Sequence, residues 1–107
     1  MTPPLRPIPG ETLADAGQVY VSQAAARAYA AAAGTRPEAA RRTLTELLLD
    51  ARPLPEPAAT GATQWRHRSR TTGLDVTAHV VREGRLLVVV HVHVRAVPRR
   101  GPRNRTR

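Results

Sequence analysis

The chain has 107 residues, which is enough for one domain with one hydrophobic core and too few for two. It contains no cysteine, so disulfides and thiolate metal sites are excluded. The chain has no phenylalanine, one tryptophan and two tyrosines, so its core must consist mainly of leucine, valine and alanine. Its formal net charge is +9.

The net positive charge of the chain lies entirely in its second half. Residues 1–60 contain six arginines and six acids, a net charge of zero, whereas residues 61–107 contain eleven arginines and two acids, a net charge of +9. A GC-rich genome would favour arginine over lysine, but it would do so in both halves. The asymmetry therefore predicts a polyanionic partner for the second half, with RNA favoured over DNA.

The composition of the two ends predicts three segments. Residues 1–17 form a proline-rich N-terminal segment, residues 18–97 a single α+β domain, and residues 98–107 a disordered arginine-rich tail. The first 30 residues lack an apolar leader, and His91 and His93 interrupt the longest apolar run, residues 86–94. We expect a cytoplasmic protein with no membrane association and no cofactor.

The first predicted elements are a short strand and a helix. Residues 18–22 alternate apolar and polar side chains, which is typical of a strand. Ser22 is a suitable N-cap for the alanine-rich helix over residues 23–33, and Gly34 is the expected stop. Tyr29 in this helix is expected to anchor the core.

A second helix is predicted to begin at Thr35 as N-cap, with Pro37 in its first turn. Its apolar side chains follow the helical repeat and form one continuous stripe. The stripe consists of Ala40, Leu44, Leu47, Leu48 and Ala51. Prolines prevent the helix from continuing past Arg52, and residues 53–63 are predicted to form a loop.

After this loop the periodicity changes to that of strands. In residues 64–70, Trp65, His67 and Ser69 lie on one face and Arg66, Arg68 and Arg70 on the other. Trp65 beside a row of arginines could stack on a nucleic-acid base, but burial of the single tryptophan is favoured. The three arginines are expected to be exposed in either case, on an edge strand if Trp65 is buried.

Two further β-rich runs, residues 74–82 and 85–95, are predicted to form a hairpin around Glu83-Gly84, with Arg82 opposite Arg85. This register divides the side chains between two faces. One face carries Val76, Ala78, Val80, Leu87, Val89, His91, His93 and Arg95. The other carries Asp75, Thr77, His79, Val81, Leu86, Val88, Val90, Val92 and Val94, and is expected to pack on the helices because its last strand is more apolar. A one-residue bulge at the turn would reverse one strand.

The predicted fold is therefore α+β, with two N-terminal helices packed on a small antiparallel sheet that ends in a β-hairpin, between disordered termini. This order of elements in a small basic protein resembles the RelE/ParE superfamily of bacterial toxins. Two stretches carry the resemblance, VSQAAARAY at residues 21–29 and the hairpin, within residues 18–96. Gln23 replaces a histidine of the opening that some members share. The resemblance implies a toxin-like RNA-binding protein whose sheet face and C-terminus bring Arg, His and Tyr residues to RNA.

Arginines are the candidate nucleic-acid-binding residues, because guanidinium groups make bidentate contacts with phosphates. The candidates are Arg66, Arg68, Arg70, Arg95, Arg99, Arg100, Arg103, Arg105 and Arg107. The alternative for the last six of these arginines is a tail that serves only solubility.

His91 and His93 offer general acid and base catalysis near neutral pH, with Arg95 as a phosphate clamp. A metal site would need a third ligand, and His79 is predicted on the opposite face, so no metal is expected. Both histidines could also be ordinary half-buried strand residues. Whether the protein is an enzyme stays open. The three hypotheses are a nucleic-acid-binding domain, a RelE-like endoribonuclease, and a non-catalytic module that binds a protein partner or itself.

Overall fold

The structure, a computed structural model, describes residues 11–69 and 72–96. Its elements are α1 (Leu13–Ala16), β1 (Gln18–Val21), α2 (Gln23–Ala33), α3 (Pro37–Leu48), β2 (Arg52–Pro53), β3 (Thr63–Arg68), β4 (Leu74–Glu83) and β5 (Leu86–Ala96). The α+β class is confirmed. The predictions for the N-terminal residues 1–10 and for the arginine tail lie outside the described residues. No helix in the described ranges has the length and apolar character needed to cross a bilayer.

The ends of α2 follow the sequence, and the start of α3 does not. The Ser22 hydroxyl accepts a hydrogen bond from the Ala25 amide at 3.2 Å, and Gly34 ends the helix with φ of 71°. The prediction that Thr35 is the N-cap of α3 was wrong, because Arg36 occupies that position. Pro37 is the first helical residue and forces the residue before it into an extended conformation, so the helix starts one residue later.

The five strands form one mixed sheet in the order β1-β5-β4-β3-β2. The pairs β5-β4, β4-β3 and β3-β2 are antiparallel, whereas β1 runs parallel to β5, so the sheet is not wholly antiparallel. Two short elements had no sequence prediction. Helix α1 buries Leu13, whose amide donates to the Ala51 carbonyl at 3.0 Å, and β2 pairs Arg52 and Pro53 with the middle of β3.

One face of the sheet packs on α2 and α3, and the core lies between them. Strand side chains in this core are Val21, Trp65, Val76, Ala78, Val80, Leu87, Val89 and Val92. The helices contribute Tyr29, Ala40, Leu44 and Leu48, which confirms the core position of Tyr29 and three residues of the expected stripe. Leu47 is only partly buried, and Ala51 is buried but lies beyond the end of α3 at Leu48. Burial raises the pKa of the Tyr29 phenol, because its ionised form would lose hydration.

The predicted hairpin register was wrong in two respects. The two-residue loop is Gly84-Arg85, with Glu83 opposite Leu86. The first loop position of a tight hairpin needs a positive φ, which Gly84 adopts at 62° and glutamate resists. The ladder then shifts between Val80-Val89 and His79-His91, which leaves Val90 as an unpaired bulge.

The hairpin face that packs on the helices differs from the predicted one, and the bulge changes the facing side chains of β5 beyond Val90. Val76, Ala78, Val80, Leu87 and Val89 pack on the helices, so the prediction that the opposite face does so was wrong. Beyond Val90 the alternation of β5 reverses, and Val92 joins the same core. His91, His93 and Arg95 therefore point away from the helices, together with the Asp75, Thr77 and His79 side of β4.

Candidate nucleic-acid interface

The face of the sheet opposite the helices, the outer face, brings polar side chains from three adjacent strands together. The cross-strand pairs Gln64-His79 and His79-His91 form one row, Arg66-Thr77 and Thr77-His93 the next, and Arg68-Asp75 and Asp75-Arg95 the third. An open depression of about 500 Å³ lies over this region, lined in part by Gln64, Arg66, Asp75, Thr77, His93 and Arg95.

Asp75 is the centre of the third row. Its carboxylate has a side-chain exposure of 5%, and Arg66 holds it through Nε, at 3.0 Å from Oδ1 and 3.2 Å from Oδ2, and through Nη2. Side-chain hydrogen bonds from Arg66 are the main reason why the pKa of Asp75 lies below its usual 3.8, with burial opposing and the charges of Arg68 and Arg95 adding to the effect. The same hydrogen bond raises the pKa of Arg66.

Arg68 and Arg95 approach the same carboxylate more loosely. Arg68 Nη2 lies 3.6 Å and Arg95 Nε 3.8 Å from Asp75 Oδ2, and the two side chains are 56% and 78% exposed. We call Asp75 with Arg66, Arg68 and Arg95 the Asp75 cluster. One carboxylate among three guanidinium groups leaves two positive charges, and the two exposed arginines retain most of their donors for another anion.

The histidines form a second group on the outer face. Ring centroids of His79, His91 and His93 lie 4.6 to 5.5 Å apart, each pair edge to face. Burial, followed by the charges of His93 and His91, lowers the pKa of His79. We call these three residues the histidine cluster. The expectation that His79 lies on the other face was wrong, because it assumed an unbroken ladder.

With His79 beside His91 and His93, a third potential metal ligand is present, contrary to the sequence-based expectation. The geometry of the three side chains nevertheless does not form a metal site. Among the residues that the structure describes, no group of three His, Cys, Asp or Glu side chains could hold a metal ion. The rings pack edge to face at these positions instead.

Of the other residues that the sequence suggested for nucleic-acid binding, only some lie on the outer face. Trp65 is fully buried, as expected, and its indole Nε1 donates to Thr63 Oγ1 at 3.0 Å, so it cannot stack on a base. Arg66 is less exposed than expected, at 33%, because it is bound to Asp75. Strand β3 is not an edge strand, since β2 covers its middle. Arg70, Arg99, Arg100, Arg103, Arg105 and Arg107 lie outside the described residues.

Sequence reasoning missed Asp75, Thr77, His79 and Gln64 as members of this surface. A signal was present for Asp75, which is one of only two acids in residues 61–107 and alternates with Val76 and Leu74 in a β-rich run. An isolated acid in such a run needs a cationic partner when it is buried.

No family model matches the chain, and neither a curated protein nor a solved structure matches it. The resemblance to RelE/ParE toxins therefore stays a prediction.

Proposed function

We propose that the protein binds nucleic acid, with RNA favoured over DNA, through the outer face of its sheet. The observation that carries the proposal is the Asp75 cluster, in which three arginines surround the only acid of the three rows. A purely structural ion pair would need one arginine. The two further cations, which are largely exposed, give the surface a net positive charge that a phosphate backbone would neutralise.

The buried carboxylate has a clear role in such a surface. By holding Nε and Nη2 of Arg66, Asp75 fixes one guanidinium group in place. A fixed cation loses less conformational entropy when it meets a phosphate than a free arginine does. Arg68 and Arg95 can then turn from the shared carboxylate towards successive phosphates.

The shape of the surface supports a single-stranded ligand. The major groove of duplex DNA admits a helix or a two-stranded ribbon, whereas here three strands present one broad face. A sheet face with exposed ring and guanidinium planes suits unstacked bases, which are presented by single-stranded RNA. His91, His93 and Arg95 provide such planes.

The test is a filter-binding titration of the full chain with a radiolabelled oligouridine and, separately, with duplex DNA, at several salt concentrations. We expect oligouridine to bind more tightly, and the logarithm of its association constant to fall linearly with that of the salt concentration. For about five neutralised phosphates the slope for a single strand is about −3.5. Absence of salt-dependent binding at low ionic strength would refute the proposal.

A second candidate, a RelE-like endoribonuclease, is favoured by the contact between His91 and His93, whose ring centroids lie 4.6 Å apart, beside the Asp75 cluster. One imidazole would take the proton of the attacking hydroxyl and the other would protonate the leaving group, with Arg95 as phosphate clamp. Growth arrest on expression that is lost in the double variant His91→Ala, His93→Ala would support it. An equally toxic double variant would count against it.

A further inference from the structure

The histidine cluster sits on the outer face without a counter-charge of its own. From β3 it faces the neutral Gln64 and, one row away, Arg66. Thr77 is its neighbour on β4 and Arg95 follows His93 on β5. The α-helices pack on the opposite face of the sheet, and Arg41 of α3 lies over the ring of Tyr20 on β1.

Two acids belong to segments that adjoin the histidine cluster, and neither is placed to neutralise it. Asp75 lies one row from His93 on the adjacent strand, but its carboxylate is bound by Arg66 and shared with Arg68 and Arg95. The loop before β3 approaches the first row where Gln64 Nε2 donates to the Glu56 carbonyl at 3.2 Å, and Glu56 itself is an exposed residue. Protonated imidazoles at this spacing therefore repel one another in the free protein.

We propose that His79, His91 and His93 form an anion-binding subsite that accepts a phosphate of the bound nucleic acid and takes up protons as it does so. The proposal rests on the proposed function, since the phosphate belongs to the strand held by the Asp75 cluster. A phosphate among three imidazoles accepts hydrogen bonds from their N–H groups and removes the repulsion between their charges.

The direction of the pH effect follows because the bound phosphate replaces repulsion between imidazole charges with attraction. In the free protein the pKa of His79 is lowered by burial and by its two histidine neighbours, so its neutral form is favoured. A bound phosphate favours the charged forms of the three imidazoles and so opposes the lowering of the His79 pKa. The affinity for nucleic acid is therefore highest when pH is below the pKa of His79 in the free protein. This gain is lost as pH rises through the pKa of His79 in the complex. Because the free-state pKa of His79 lies below its usual 6.5, the gain in affinity is greatest on the acid side of that value and declines as pH rises.

The experiment measures the dissociation constant of the full chain for a radiolabelled oligouridine from pH 8 to pH 6, at constant ionic strength and in EDTA. The oligouridine is labelled at an internal phosphodiester, because a terminal phosphate monoester has a second pKa of about 6 and would itself titrate. Neither the uracil base nor a phosphodiester titrates in this range, so a change reports on the protein. Each proton taken up makes binding up to about tenfold tighter per pH unit. We expect at least about tenfold tighter binding at pH 6 than at pH 8.

The double variant His91→Gln, His93→Gln should flatten this profile, because both side chains are exposed and their removal leaves the core intact. His67→Gln is the matched control: His67 is the fourth histidine, lies on the helix-facing side of β3 opposite Val76, and should leave the pH dependence unchanged. In NMR titrations, oligouridine should raise the ring pKa of His79 and shift the ring resonances of His91 and His93, but not those of His67.

The failure of this inference is distinct from that of the proposed function. Absence of oligouridine binding at every pH, both with and without EDTA, would overturn both. Salt-dependent binding that is equally tight at pH 6 and pH 8, or a pH profile unchanged in the double variant, would leave the proposed function standing and overturn the subsite. Binding that is abolished by EDTA and restored by zinc would also overturn it, in favour of a metal.

Discussion

Arg66 and Asp75, cross-strand diagonal neighbours on β3 and β4, form a bidentate ion pair on the outer face of the sheet, with Nε donating to Oδ1 at 3.0 Å. The carboxylate is nearly inaccessible to solvent, while the arginine is one-third exposed. Such an arrangement binds the acid to the protein and leaves the cation at the surface, which is the geometry expected of an anion-binding face. Three of the predictions below concern the surface built around this pair, and the fourth concerns Trp65 on the opposite face of the sheet.

Replacement of Asp75 by Asn should destabilise the fold by about 1 to 3 kcal/mol, because a buried acceptor of charge-assisted hydrogen bonds is lost. Chemical denaturation at pH 7 would measure the change in the free energy of unfolding. Glu83→Gln removes the other acid of this half from an exposed position at the hairpin end, and should change stability by less than about 0.5 kcal/mol. Equal effects of the two substitutions would contradict the role assigned to Asp75.

The same pair makes stability depend on pH. Hydrogen bonds from Arg66 lower the folded-state pKa of Asp75 below 3.8, so its contribution is present above the unfolded pKa and is lost as pH falls through the folded pKa. The difference in the free energy of unfolding between wild type and Asp75→Asn should therefore be constant above about pH 5 and shrink below about pH 4. Denaturation midpoints of both proteins at a series of pH values test this, and a difference that persists undiminished at low pH would contradict it.

The exposed arginines of the Asp75 cluster should contribute to binding and not to stability. Arg68→Gln and Arg95→Gln should each weaken oligouridine binding and make the slope of its salt dependence shallower by about 0.7. Stability should change by less than about 1 kcal/mol, since exposed ion pairs contribute little. Arg42→Gln, an exposed arginine on α3 away from the outer face, is the control and should leave the slope unchanged. The prediction fails if all three substitutions have the same effect.

The fluorescence of Trp65 should change when the protein unfolds and should not change when oligouridine binds. Because its indole is fully buried on the helix-facing side, we expect a blue-shifted emission that iodide does not quench and that oligouridine does not change. Quenching of the native protein by oligouridine would instead support base stacking on Trp65. Trp65→Ala should cost about 3 to 5 kcal/mol, measured by chemical denaturation.

Local signals in the sequence were sufficient for much of the fold. The Ser22 cap, the Gly34 stop and the apolar stripe of α3 depend on neighbours within one or two helical turns, and all three were confirmed. The alternation that buries Trp65 and turns Arg66 and Arg68 to the other side depends only on the pleat of one strand. Charge asymmetry likewise needs no structure, and it predicted which half of the chain carries the basic surface.

What the tertiary structure alone decided is which side chains share the outer face. A strand pattern has a period of two, so a single bulged residue reverses every assignment beyond it. The bulge at Val90 lets Leu87 and Val89 pack on the helices while His91, His93 and Arg95 point away from them. It thereby joins His79 to the histidine cluster and Asp75 to Arg95. Residue order contains no mark of this shift, because it results from how the core packs against the helices.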